Sequence, residues 1–170
     1  RPAARYLRQH CPAKVDCWWG GCEPLLAAPP LGALVDLLPQ LPPSLAAAVR
    51  DGRCDTAFLA GMLALLRGRQ RPLLLVIDDL QWADGATLEL LRFLGRRIEH
   101  CNGLLLLDCR DDALVAGHAL QALLGSLPPR FTHRLPLAPL SAAAVADWAQ
   151  RAGRSPQGLH ATSQGNPFFV

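Results

Sequence analysis

The amino-acid sequence predicts an α/β fold: a parallel sheet with helices packed on its faces. Three observations carry that expectation. Residues 73–77, Leu-Leu-Leu-Val-Ile, are apolar without alternation and run straight into Asp78-Asp79; residues 104–107, four leucines, run in the same way into Asp108; and helical periodicity fills the segments before, between and after them. Short unbroken apolar runs mark strands covered on both faces, as parallel sheets are. Strands that alternate with helices imply right-handed crossovers. Carboxylates at the carboxyl end of such strands stand where open α/β sheets keep their ligand sites.

Taken in order, residues 1–10 read as the last turns of a helix, which Pro12 ends. Residues 15–19 read as a strand that the chain leaves at Gly20-Gly21. The stretch 22–43 holds six prolines, too many for one regular element. A short helix over 31–38 fits inside it. Asp55 is a suitable N-cap for a helix whose apolar stripe is Phe58, Leu59, Met62, Leu63 and Leu66, closed by Gly68. After the strand at 73–77, Asp84 caps a further helix to about Glu99, with Leu88, Leu91, Leu94 and Ile98 inward. Asn102-Gly103 turns the chain into the second apolar strand. A loop or short helix at 113–127 is broken by Pro128-Pro129. Residues 131–137 predict a last strand with Phe131, His133, Leu135 and Leu137 on one face. Ser141 caps an alanine-rich helix to about Arg151, Ser155-Pro156 opens another, and Gly165-Asn166-Pro167 stops it.

Length and composition fit one domain with a sizeable core: 170 residues, 51% hydrophobic, net charge +3. Lys14 is the single lysine, and the arginines are spread among carboxylates without forming a basic stripe, so the segment is not expected to bind nucleic acid directly. Nothing approaches the roughly 20 apolar residues of a membrane span, and no signal peptide is visible. The six cysteines show no C-x-x-C pair and no Cys/His ligand spacing, so reduced thiols in a cytoplasmic protein are expected. His118, His133 and His160 have no partner pattern and read as structural.

An apolar strand ending in two carboxylates resembles a Walker B motif; the same pair also suits a strand end that caps a turn. The wider pattern goes further. Asp78-Asp79-Leu80-Gln81-Trp82-Ala83-Asp84, Arg110-Asp111, Pro139-Leu140-Ser141 and Gly165-Asn166-Pro167-Phe168-Phe169 occur in an order that resembles the ATPase module of STAND-class P-loop NTPases. These are ASCE/AAA-type ATPases found in large LuxR-type transcriptional regulators and near adenylate cyclases. Trp18-Trp19-Gly20-Gly21-Cys22-Glu23-Pro24-Leu25 and Pro30-Leu31-Gly32 resemble the segment these proteins carry after their P-loop helix.

The resemblance implies a P-loop NTPase-like core over 1–138 and the start of a helical lid over 139–170. It implies ATP and Mg²⁺ as cofactors, with Asp78 as the magnesium residue and Asp79 as the base that polarises the attacking water. Arg110 matches a sensor position for the γ-phosphate, or is a plain surface arginine. Asn166 and Pro167 match a lid motif near the adenine, or are a simple helix stop. Asp111 and Asp112 shape their loop, Trp82 packs, and Asp84 caps. The implied partners are the nucleotide and other domains of a parent protein, including a helix-turn-helix DNA-binding domain.

One feature of the pattern is missing. G-x-x-x-x-G-K-[ST] occurs nowhere in the chain, and no Gly-Lys pair exists. The expectation is a module without its first strand and phosphate cradle, which binds ATP weakly or not at all. The alternatives are a non-catalytic, degenerate NTPase fold serving as an interaction module and, less in keeping with the spacing, a metal-dependent phosphohydrolase built on Asp78 and Asp79.

Overall fold

The computed structural model describes residues 10–114 and 119–170. The expected helical turns before His10, and His118, lie outside them. Three strands, β1 (Asp16–Gly21), β2 (Leu73–Asp78) and β3 (Gly103–Leu107), form one parallel sheet in the order β1-β2-β3. The register pairs Gly21 with Asp78 and Ile77 with Leu107. The unbroken apolar run explains why β2 takes the centre: Leu73, Leu75, Val76 and Ile77 are all buried, a state that only a strand with neighbours on both edges and cover on both faces allows.

β3 carries the same kind of sequence with a different outcome. Its one strand neighbour among the described residues is β2, and Leu104 is 61% exposed. Gly20 and Gly21 do not release the chain from β1 but belong to it. A Cβ on Gly20 would lie 1.9 Å from the Ala33 carbonyl oxygen, so only glycine lets the segment after the strand pass this close.

That segment, Gly32–Gln40, is a 3₁₀ helix, and Leu34 and Leu37 are buried beneath it. It is followed by α1 (Pro43–Arg50), which the proline count hid. Pro43 sits in the first turn, where a missing N–H costs nothing, and Leu45 and Val49 turn inward. Helix α2 (Thr56–Arg67) follows its stripe: Phe58, Leu59, Met62, Leu63 and Leu66 are buried, and the Asp55 side chain accepts from Phe58 N–H at 2.8 Å. Helix α3 (Gly85–Gly95) stops earlier than its sequence suggests and buries Leu90 beside Leu91 and Leu94. Leu88 and Ile98 stay half-buried. Helix α4 (Ala119–Ser126) packs through Leu120 and Leu123.

The chain divides into two compact units, the first reaching Thr132 and the second spanning His133–Val170. The expected strand at 131–137 does not form. Phe131 ends a short 3₁₀ turn, residues 132–140 enter no ladder among the described residues, and Leu135 and Leu137 are exposed. Alternation of apolar residues makes a strand only when a partner supplies the ladder. Pro136, which has no N–H, weakens the segment as a ladder member.

Within the second unit, α5 (Ala142–Arg151) is capped by Ser141, which accepts from Ala144 N–H at 3.2 Å, and buries Val145 and Ala149. Helix α6 (Leu159–Ser163) starts after Gly158, later than Ser155-Pro156 suggests. His160 Nε2 lies 3.2 Å from the Leu140 carbonyl, a structural role, and Gly165 takes φ 74° against the same residue. No disulfide joins any of the six cysteines. No helix among the described residues is long and apolar enough to cross a membrane.

Candidate functional site

Sheet register brings the acidic groups of the first unit together. Asp78 is the last residue of β2 and Asp108 follows the last residue of β3; their backbones are tied by Asp108 N–H donating to the Ile77 carbonyl at 3.0 Å and Leu80 N–H donating to the Asp108 carbonyl at 2.8 Å. Partial desolvation of the carboxyl, followed by the neighbouring Asp78 carboxyl and its charge, pushes Asp108 up to about 6, although the residue as a whole is exposed. Asp78 is 7% exposed, and its Oδ1 is buried with no hydrogen-bond partner.

A buried carboxylate oxygen without a donor is costly unless something cationic meets it. From the other side, Cys22 N–H donates to the Asp78 carbonyl at 3.0 Å. Burial, then the charges of Asp84, Asp79 and Asp78, push the Cys22 thiol up to about 12. The strand ends therefore gather several acidic groups around Cys22.

Asp79 lies just beyond β2 in the left-handed region, φ 55°. Aspartate is among the few residues that adopt this conformation readily, and it lets the chain turn into the 3₁₀ segment Leu80–Trp82. Gln81, which the sequence did not single out, links the two strand ends. Its Nε2 donates to Asp79 Oδ1 at 3.1 Å, and its Oε1 accepts from Arg110 N–H at 3.2 Å.

The Arg110 guanidinium faces the loop. Nε and Nη2 meet the two Asp112 oxygens at 3.0 and 2.6 Å, both side chains are exposed, and the hydrogen bond to Asp112 is the first cause that raises the Arg110 pKa. Asp112 thus shapes the loop by holding Arg110. Trp82, expected to pack, is 46% exposed.

Asp84 does more than cap α3. Oδ1 accepts from Thr87 N–H at 2.9 Å and Leu31 N–H at 3.0 Å; Oδ2 accepts from Thr87 Oγ1 at 2.5 Å and Gly32 N–H at 3.1 Å. It staples the proline-rich segment to the turn that follows β2, where Leu31, fully buried, is held at φ 60°.

Asn166 and Pro167 lie in the second unit. Asn166 Oδ1 accepts from Phe168 N–H at 2.9 Å, which closes a turn over an exposed Pro167. Asp108 is the site residue that the sequence reading passed over, because its place beside Asp78 follows from strand pairing and not from any local motif.

Hard carboxylate oxygens, one of them buried and unpartnered, fit Mg²⁺, which binds through one or two carboxylates and keeps much of its water. No group of three or more His, Cys, Asp or Glu among the described residues is arranged to hold a metal ion, so a cation here rests on few protein ligands. No Gly-Lys pair occurs in the sequence.

A parallel α/β sheet with paired carboxylates at the end of its central strand defines the class, an NTPase-like nucleotide-binding fold. The family model described as AAA ATPase domain matches residues 3–107, and the chain belongs to that family. No curated protein and no solved structure matches it.

Proposed function

We propose that the chain supplies the magnesium and sensor half of an ATP-dependent signalling switch of the STAND type, from a LuxR-type transcriptional regulator in the cytoplasm. The observation that carries this reading is the buried, unpartnered Oδ1 of Asp78 at the carboxyl end of the central strand. In this reading Asp78 holds the magnesium ion, which, when bound, screens the charge of the ATP phosphates. Asp79, oriented by Gln81, accepts the proton of the attacking water. Arg110 would be the residue that meets the γ-phosphate, and Asn166 and Pro167 would be those that meet the adenine region.

The phosphate cradle belongs to sequence outside these residues, and a helix-turn-helix domain elsewhere in the parent reads DNA. By itself the chain binds ATP weakly or not at all, because backbone amides and a lysine supply most of the anionic contacts in P-loop sites.

Titration of residues 1–170 with a fluorescent ATP analogue, with and without Mg²⁺, is expected to show no micromolar binding; saturable, magnesium-dependent micromolar binding refutes the deficiency. In the full-length protein, Asp79→Asn is expected to slow hydrolysis while sparing ATP binding, and equal loss of both refutes its role as a base. The absence of a Gly-Lys pair, with Arg110 engaged by Asp112, favours a second reading: a non-catalytic NTPase fold that serves as an interaction module. ATP binding by the full-length protein decides between them.

A further inference from the structure

Asp108 has no assigned role in the switch just described. It stands just after β3, in register beside Asp78, and its backbone is fixed on both sides, N–H to the Ile77 carbonyl and carbonyl to the Leu80 N–H. Two carboxyls held on neighbouring strand ends disfavour each other's ionised form. The Asp78 Oδ1 beside it is shut away from solvent with no donor.

The nearest basic side chain in the loop that follows, Arg110, is bound to Asp112. No ion pair of Asp78 or Asp108 with an arginine, lysine or histidine is found among the described residues. A pair of facing carboxylates with an orphaned oxygen is instead complementary to a small, hard, divalent cation, whose charge removes the repulsion and whose remaining positions are filled by water.

We propose that Asp108 is a second carboxylate arm of the cation site, and that Asp78 and Asp108 together bind a divalent cation in this chain without any nucleotide. The inference rests on the reading of Asp78 as the magnesium residue and adds a ligand from the neighbouring strand. It also gives β3 a function in the site that does not depend on Arg110: the register that sets Leu107 beside Ile77 sets the second arm.

The experiment uses Mn²⁺ as the probe, followed by the loss of its free electron-paramagnetic-resonance signal on titration with residues 1–170, and by Mg²⁺ competition. Wild type is expected to bind saturably in the millimolar range or somewhat tighter, as weak carboxylate sites do at about 10⁻⁴–10⁻³ M. Asp78→Asn and Asp108→Asn should each weaken binding by about tenfold or more. Asp36→Asn, at an exposed position of the 3₁₀ helix, should leave it unchanged.

Circular dichroism confirms that each variant is folded, and Asp108→Ser replaces Asp108→Asn if that variant is not. In parallel, Mn²⁺ should raise the melting temperature of wild type and fail to raise that of the Asp108 variant. Wild-type affinity in Asp108→Asn with loss in Asp78→Asn overturns the role of Asp108 and leaves the magnesium reading of Asp78 standing. No saturable Mn²⁺ binding by wild type overturns the nucleotide-free site, while nucleotide-dependent binding through Asp78 keeps its own assay in the full-length protein.

Discussion

Removal of the Asp84 carboxylate should be the most damaging single polar change in the first unit. Its two oxygens accept four hydrogen bonds, from Leu31 N–H, Gly32 N–H, Thr87 N–H and Thr87 Oγ1. Asp84→Ala loses the cap of α3, about 1 kcal/mol. It also leaves the amide of Leu31, a fully buried residue, without an acceptor, at about 1–3 kcal/mol. The Gly32 amide is half-buried and recovers part of its loss from water.

The sum is about 3 kcal/mol, a large share of the roughly 5–15 kcal/mol by which domains are stable. Leu31 at φ 60° makes the site less forgiving. A left-handed leucine is intrinsically unfavourable by about 1–2 kcal/mol, and the staple is the contact that offsets it. Asp84→Asn keeps one carboxylate-like oxygen and should cost about half as much, and Thr87→Val, which loses one hydroxyl bond, about 1 kcal/mol. Urea denaturation followed by far-ultraviolet circular dichroism measures all three, and the melting temperature of Asp84→Ala should fall by about 10 °C. If Asp84→Ala stays within about 0.5 kcal/mol of wild type, as a neutral surface change would, the staple is not a stabilising contact.

Three further outcomes are expected. The folded chain holds the Asp108 proton up to about pH 6, whereas an ordinary aspartate releases it near 3.8, so folding takes up a proton between those values; the stability it confers is full below pH 3.8 and is lost as pH rises through 6. Without added divalent cation, Asp108→Asn should therefore be more stable than wild type at pH 7, with the gap closing toward pH 4. Such a displacement represents roughly 3 kcal/mol, and solvent around this exposed residue leaves about 1 kcal/mol of it; urea midpoints at the two pH values measure the gap. Gly20→Ala forces a Cβ to within 1.9 Å of the Ala33 oxygen, a backbone atom that cannot step aside, and should cost about 3 kcal/mol in the same assay. Cys22, buried and with its thiol pushed up to about 12, should resist iodoacetamide at pH 8 in the native protein and react once unfolded, as read by peptide mass spectrometry.

The parts of the fold legible in the sequence are those with local causes. The five-residue stripe of α2 is buried in full because a 3.6-residue period and an Asp55 cap fix the helix and its face without reference to anything distant. Asp84 and Ser141 cap their helices for the same reason. Where the cause is tertiary, legibility fails. The apolar alternation at 131–137 has the composition of a strand and no ladder to join. Leu104 has the composition of a core residue and is exposed, on a strand paired on the β2 side alone among the described strands. Helix α1 is hidden in the sequence because prolines read as breakers, although Pro43 occupies the one part of a helix that accepts proline readily.

The acidic site shows the same division inside a single motif. Asp78 and Asp79 are adjacent in sequence, and adjacent strand residues point to opposite sides of a sheet. The chain resolves this by ending β2 at Asp78 and turning Asp79 into the left-handed region, where it joins Gln81 and the Arg110 loop. Asp78 is left buried, and the carboxyl beside it in register comes from 30 positions further along the sequence, just after β3. The doublet that makes the motif recognisable is thus not the pair that meets in space. Parallel register puts Asp78 and Asp108 together because both follow apolar runs that start in step, Leu73 opposite Gly103. A one-residue shift of β3 would move Asp108 out of register and turn its leucines to the opposite face. The burial that holds the sheet in register is therefore what holds the two carboxylates together.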